Sequence, residues 1–163
     1  MPARALRSLV AVLLAATSCG LAGDDRGPYR IDATHAACFR PRGPSCAGMI
    51  AAAFDQARIS ILAEVYQFTE PTIGEALSRA QSRGVAVRLI VDRTTAGKSH
   101  IEQADLIHAV KVDCTVRIHH DKVAIIDART VITGSYNWSV NAERHNDENV
   151  LLADNPVLAA AYT

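Results

Sequence analysis

The sequence predicts an α/β protein, a mixed β-sheet flanked by helices on both faces. Three stretches carry this prediction. Residues 59–91 read as strand, helix, strand, with an alternating run, an amphipathic run opened by Pro71, and a nearly continuous apolar run, 85–91. That order specifies a right-handed parallel crossover. Residues 120–137 hold two short β-branched runs, 123–126 and 131–132, on either side of a turn at Ala128 and Arg129, the composition of buried strands. A further strand at 148–153 is followed by Asn155-Pro156, which opens a helix.

The first residues are different in kind. Arg4 and Arg7 precede the apolar run 9–16, and small residues follow up to Gly23. This is the pattern of a secretory signal peptide, and the run is too short to span a bilayer. Gly20-Leu21-Ala22 offers cleavage before Gly23, so 1–22 is expected to be a signal peptide and 23–163 a single domain, placed in the periplasm or outside the cell. Lipoprotein processing at Cys19 is the alternative and would anchor the chain to a membrane. The residues before it, Ala16-Thr17-Ser18, lack the leucine usual in that signal.

Residues 24–36 read as a polar loop leading into a first strand near 29–31. Cys38 and Cys46 bracket a Pro/Gly-rich loop, and in an exported protein such a pair is expected to form a disulfide. Cys114 is then left alone, with a buried thiol as its expected state. Apolar residues at Met49, Ile50, Phe54 and Ala57 give a helical period over 47–58. In the strand 59–68, Ile61, Ala63 and Val65 share one side. Thr69 caps the next helix, which runs to Arg83 and stops at Gly84. The apolar run 85–91 suits a sheet covered on both faces. Residues 94–98 form a loop at the end of that strand, where open α/β sheets place their ligands. Ser99 caps a helix to about residue 110, and a short strand at 115–118 leads into the stretch around His120. The sequence holds no repeat and no low-complexity segment.

Seventeen basic side chains balance seventeen acidic ones. Removal of 1–22 takes two arginines away and leaves the mature chain slightly acidic. This weighs against tight non-specific binding of nucleic acid over the whole surface. A local basic groove remains open to Arg40, Arg42, Arg88, Arg93, Lys98, Lys111 and Arg117. Among the four cysteines and six histidines there is no second close cysteine pair and no histidine pair at ligand spacing, so no metal and no cofactor is expected.

The segment that organises the chain reads His120-Asp121-Lys122, then Asp127, then Gly134-Ser135-Tyr136-Asn137. Residues two apart on a strand share a face, which groups His120 with Lys122 and Ser135 with Asn137. One nucleophile, one cation and two neutral hydrogen-bonding groups suit a phosphate diester. Such an ester resists attack because its charge repels nucleophiles, so a site must neutralise that charge and protonate the leaving oxygen. Histidine titrates near neutral pH and can attack when neutral. Lys122 supplies a point charge to the phosphate, while Asn137 and Ser135 donate hydrogen bonds.

The spacing resembles the signature of the phospholipase D superfamily, His-x-Lys-x4-Asp-x6-Gly-Ser-x-x-Asn, and meets it from His120 through Ser135, with the asparagine, Asn137, one position earlier than in that pattern. The likeness extends upstream to Val65-Tyr66-Gln67-Phe68-Thr69 and downstream to Glu148-Asn149-Val150. It implies a phosphodiesterase passing through a phosphohistidine on His120, with Glu148 holding the far nitrogen of the imidazole. Asp127, though part of the signature, lies an odd number of residues from His120 and reads as a turn anchor or ion-pair partner. Asp121 reads as non-catalytic. The spacings select His120 over His119, which is expected on the opposite strand face in packing or solvent, so that His119→Ala keeps most activity. His100, His108 and His145, and Glu143 with Arg144, read as solvated or structural.

Larger members of the superfamily carry the signature twice; this chain carries it once. Small members resemble it in this and pair two copies across a two-fold axis, which implies a homodimer with one composite site. The resemblance therefore implies an exported nuclease acting on DNA or RNA. A phospholipase D or phosphatidyl transferase acting on membrane phospholipids is the alternative, and a non-enzymatic binding module is a third, disfavoured by the complete set of reactive residues. Relatives usually continue the last helix for several turns, so the chain is expected to be a fragment or shortened at its C-terminus.

Overall fold

The structure, a computed structural model, describes residues 28–96 and 100–163. The signal-peptide reading of 1–22, Cys19, Lys98 and the Ser99 cap lie outside these residues. The strands are β1 (Tyr29–Arg30), β2 (His35–Arg40), β3 (Ser60–Val65), β4 (Ala86–Asp92), β5 (Val110–Asp113), β6 (Lys122–Ile126), β7 (Thr130–Gly134) and β8 (Glu148–Asp154). The helices are α1 (Cys46–Gln56), α2 (Pro71–Ser82), α3 (Val140–Arg144) and α4 (Pro156–Ala161), with a short 3-10 turn at Glu102–Leu106. The strands form one mixed eight-stranded sheet in the order β1-β2-β8-β7-β6-β3-β4-β5. β3, β4 and β5 run parallel, and the remaining pairs are antiparallel.

The main core lies between the sheet and α1 and α2. Ile61, Ala63 and Val65 of β3 alternate into it, as the strand period requires. Phe54 of α1 and Phe68 each meet the ring of Trp138 edge-on, at 5.6 and 5.5 Å between centroids. The Trp138 carbonyl also accepts the backbone N–H groups of Thr69 and Glu70. This buried tryptophan fixes the backbone directly after Asn137.

The opposite face is only partly covered. Leu158 and Ala159 of α4 pack with Leu62, Val123, Ile125 and Val131. Beyond α4, the sheet presents an open cavity of about 400 Å³ lined by Leu62, Ile90, Val110 and Ile125 with Arg88 and Lys111. This corrects the reading of β4 as buried on both faces: Ala86 and Arg88 are exposed and Ile90 is half-covered.

Several boundaries differ from the sequence reading. β2 lies where a loop was expected and pairs along its whole length with β8, from His35 opposite Ala153 to Arg40 opposite Glu148. The helix expected up to residue 110 is only the 3-10 turn, and its end is strand β5. No strand covers 115–118; the chain there bends between β5 and β6. Glu70, not Thr69, caps α2 by accepting from Thr72 N–H, while Thr69 Oγ1 accepts from Val140 N–H at the start of α3. Cys114 is exposed rather than buried. The expected disulfide between Cys38 and Cys46 is present and ties the end of β2 to the first residue of α1.

Candidate active site

Of the candidate catalytic residues, all but Asp127 gather at a single end of the sheet. The C-terminal ends of β3, β4 and β5 lie there, with the first residue of β6, the last of β7 and the first of β8. Lys122 opens β6, and its side chain is buried, with 6% exposure. Its Nζ lies 2.9 Å from Nδ1 of His120 and 2.6 Å from the His120 carbonyl oxygen. Tyr66, just past β3, stacks obliquely on the His120 ring, with centroids 4.6 Å apart, and its ring lies 5.4 Å from Lys122 Nζ. His120 is exposed and faces outward from this cradle. Burial pushes the Lys122 ammonium below the ordinary lysine pKa, and the nearby charges of Glu148 and Asp121 oppose that shift without cancelling it.

Ser135 and Glu148 form the adjoining wall. Ser135 Oγ donates to Glu148 at 2.5 Å, and the same hydroxyl accepts from Asn149 N–H at 3.1 Å. Asn149 Oδ1 in turn accepts from Ser135 N–H. Glu148 also accepts from Asn146 at 3.0 Å. It therefore does not hold the imidazole in this structure; Lys122 occupies that nitrogen. Gly134 makes the wall possible. Its φ is +155°, and a Cβ there would sit 2.2 Å from the Asn149 carbonyl oxygen. Asn137 follows, with its carbonyl Oδ1 buried and without a hydrogen-bond partner among the described residues.

Asp127 is the residue that stays apart. It sits past the far end of β6, where its carboxylate accepts the backbone N–H groups of Arg58, Ile59 and Ser60 at 2.8–3.0 Å. Asp127 and Ala128 both have positive φ, 52° and 51°, as a tight type I′ hairpin turn between β6 and β7 requires. Burial opposes its charge, but the three N–H donors win and hold its carboxyl below the usual range. Its place in the signature is structural: it ties the hairpin to the start of β3.

His119 departs most from expectation. It is neither packed apolar nor solvated. Nδ1 lies 2.9 Å from Asp113, Nε2 lies 3.1 Å from Glu64 and 3.9 Å from Asp121, and its backbone N–H donates to Asp92 at 2.6 Å. One donor atom each from Glu64, His119 and Asp121 falls within 4.8 Å of the others. Both ring nitrogens face carboxylates, the arrangement of a doubly protonated imidazolium.

Two further groups were missed from sequence. Glu143, read as solvated, is mostly covered in α3. It accepts from Tyr136 O–H at 2.9 Å and from Ala47 N–H at 3.2 Å, and lies 3.6 Å from Arg40 Nε. Burial first, then Glu143, push the Tyr136 phenol well above its usual pKa. Arg40 is consequently a structural cation, while Arg42 lies exposed beside Asp147 at the site end. Arg88 and Lys111 line the open sheet face instead.

A histidine stacked on a tyrosine and touched by a buried lysine thus stands beside a Gly-Ser wall at the mouth of the mixed sheet. The comparisons with known proteins give the family. Residues 50–163 match the family described as cardiolipin synthase, PLD-like domain, and the chain belongs to this phospholipase D-like family. It is 38% identical over 128 residues to a phospholipase D of Rickettsia conorii, a match covering 77% of this chain and 64% of that protein. It is 37% identical over 101 residues to a mitochondrial cardiolipin hydrolase of Xenopus tropicalis, covering 60% of this chain and 48% of the relative. The crystal structure of the phospholipase D family member Nuc from Salmonella typhimurium superposes with a TM-score of 0.73 at 35% identity, covering 79% of this chain and 88% of that one. The chain spans slightly less than two thirds of the Rickettsia relative it matches.

Proposed function

We propose that this protein is an exported phosphodiesterase that hydrolyses nucleic acid through a phosphohistidine on His120, at a site shared by two copies of the chain. The observation that carries this reading is the contact of Lys122 Nζ with His120 Nδ1 at 2.9 Å on an exposed imidazole. A charged ammonium donating to Nδ1 leaves the ring's own proton on Nε2. In that state Nε2 carries the proton and cannot attack. When a phosphate oxygen draws the ammonium away, Nδ1 is released, and the ring proton passes through solvent from Nε2 to Nδ1. A carboxylate on that side then holds Nδ1–H, and the lone pair of Nε2 is free to attack phosphorus. Glu148, whose charge acts on Lys122, is the group placed to do so once Ser135 turns to the substrate.

The attack forms an N–P bond and breaks the P–O bond to the leaving group, whose oxygen takes a proton from the His120 of a second copy. Water then attacks the phosphohistidine, giving up its proton to that same second histidine. Lys122 and the hydrogen-bond donors Ser135 and Asn137 supply the charge stabilisation, so the reaction needs no divalent ion. The leader-like segment 1–22 and the Cys38–Cys46 disulfide support an extracytoplasmic location.

The names of two relatives, phospholipase D and mitochondrial cardiolipin hydrolase, favour a second reading, hydrolysis of a phospholipid. The test is incubation of the EDTA-treated protein with single-stranded DNA, duplex DNA, RNA, phosphatidylcholine vesicles and cardiolipin vesicles. Acid-soluble nucleotides are expected. Release of phosphatidate or headgroup with intact nucleic acid would replace the nuclease reading by the lipid one. Restoration of lost activity by magnesium or zinc would remove the metal-free mechanism.

A further inference from the structure

We infer that His119 is a positioning residue: held at the ends of three parallel strands, it fixes the backbone that presents His120 to Tyr66 and Lys122. The inference rests on His120 being the reacting group.

The connection from β5 to β6 poses a geometric problem. β5 is the last strand at one edge of the sheet, and β6 lies on the far side of β3. The chain from 114 to 121 therefore has to cross the C-terminal ends of β4 and β3 without regular structure of its own. His120 stands near the end of that crossing. A nucleophile on irregular backbone needs a fixed point beside it, because each residue adds two soft torsions and a misplacement of about 1 Å can cost a hundredfold in rate.

His119 supplies that point. Each of the three parallel strands contributes one carboxylate near its C-terminal end, and all three meet this residue. Glu64 of β3 takes Nε2 at 3.1 Å, Asp113 of β5 takes Nδ1 at 2.9 Å, and Asp92 of β4 accepts the His119 backbone N–H at 2.6 Å. Asp121 of the crossing itself lies 3.9 Å from Nε2. Asp92 is fully buried and is anchored in turn by Thr94 N–H at 2.7 Å, and Asp113 is tied to Thr115 through its backbone and side chain. The anchor is built from rigid strands and reaches the peptide adjoining His120. Beyond that peptide, the imidazole of His120 meets Tyr66, two residues after Glu64 on the same run of chain. One stretch of β3 thus supports both neighbours, Glu64 gripping His119 and Tyr66 stacking on His120.

The grip depends on charge. Burial disfavours the imidazolium, but Asp113, Glu64 and Asp121 outweigh it and raise its pKa above the ordinary histidine value. A group with a raised folded pKa stabilises the fold fully below its unfolded pKa, and that stabilisation is lost as pH rises through the folded pKa. The imidazolium that holds the clamp persists to higher pH than an ordinary histidine would allow, and the clamp opens as pH rises through that raised pKa.

This replaces the expectation that His119→Ala is nearly silent. The test compares wild type, His119→Gln and Asp113→Asn. In nitrogen-edited NMR spectra of the wild type, His119 should carry protons on both ring nitrogens at pH 7, and its pKa should fall in Asp113→Asn. The ring-current displacement that Tyr66 imposes on the His120 ring protons should shrink in His119→Gln. With bis(p-nitrophenyl) phosphate, kcat of His119→Gln should fall about 10–100-fold with KM within about twofold, and the alkaline loss of kcat should move to lower pH in Asp113→Asn. A neutral His119 at pH 7, or unchanged His120 resonances in His119→Gln, would overturn the inference whether or not the protein is active. A kcat within twofold of wild type per folded molecule would also overturn it. An inert wild type with the expected spectra removes the catalytic reading of His120 and leaves the clamp standing.

Discussion

Lys122 Nζ contacts His120 twice, at Nδ1 and at the main-chain carbonyl oxygen. The lysine therefore has a structural part in the site. It holds the ring by one nitrogen and braces the backbone behind it. Burial of this ammonium lowers its pKa, since the charged form is the one penalised in a poorly solvated site.

The consequence is an alkaline limit. As pH rises, Lys122 loses its proton before an ordinary lysine would, and with it the charge facing the phosphate. Activity should fall on the alkaline side below the usual lysine range. Lys122→Arg keeps the charge at any accessible pH. It should lower kcat through altered geometry and remove the loss due to Lys122, leaving the separate loss that follows His119, which Asp113→Asn moves and Lys122→Arg does not. A pH–rate profile of the variant with the whole alkaline loss intact would assign the titration to another group.

Asp127 gives a prediction about stability alone. Removing its carboxylate frees the N–H groups of Arg58, Ile59 and Ser60 at the start of β3. Arg58 and Ile59 are exposed, so water replaces the carboxylate there, while Ser60 is half-buried. Asp127→Ala should therefore lose about 1 kcal/mol, a drop in Tm on the order of 2–4 °C for a domain of this size. KM should stay near wild type. Its carboxyl pKa is depressed, so its contribution is present above the unfolded carboxylate pKa and is lost as pH falls through the folded value. The stability difference between wild type and variant should vanish in strong acid. A variant that melts like wild type but fails in catalysis would place Asp127 in the chemistry after all.

The disulfide closes a short loop, eight residues apart in sequence. Chain-entropy arguments give about 2–3 kcal/mol for a loop of this length. Mass spectrometry of the exported protein should show Cys38 and Cys46 linked and Cys114 free. The pair Cys38→Ser with Cys46→Ser should melt lower, because both positions are wholly buried. Two free thiols at those positions after export would contradict the expectation.

What the sequence revealed and what it hid follow a physical division. The β3–α2–β4 crossover and the β6–β7 hairpin were legible because their signals are local: period two, a Pro at the helix start, a Gly at its end. β2 was not, because a strand that carries a cysteine and leads into a Pro/Gly loop earns its identity from pairing with β8, 110 or so positions away in the chain. The helix expected before residue 110 failed for the same reason, as β5 is defined by β4 beside it. His120, Lys122 and Ser135 were legible as neighbours because their spacing is fixed; Glu148 came from the resemblance alone, and it meets Ser135 rather than the imidazole. His119 was not, since its partners Glu64, Asp92 and Asp113 come from three strands. The available sign was weak: each of these apolar strands carries a carboxylate at or near its C-terminal end, where α/β sheets place their sites.

The proposed shared site makes the last prediction. The proposed two-step displacement needs an acid besides His120, and His119 is not placed to serve because both its ring nitrogens are engaged by Asp113 and Glu64. His120, by contrast, is exposed and can meet a second copy of itself across a two-fold axis. In a mixed dimer of wild type and His120→Asn, one histidine remains in the single shared site. Losing a proton-transfer partner costs ~10²–10⁴-fold, and losing the nucleophile costs at least as much. The heterodimer, purified through two different tags, should be nearly as inactive as the double mutant. Sedimentation of the same sample shows whether it is dimeric under assay. If dimeric heterodimers retain about half the wild-type rate, each subunit holds its own complete site and the acid must be sought within one chain.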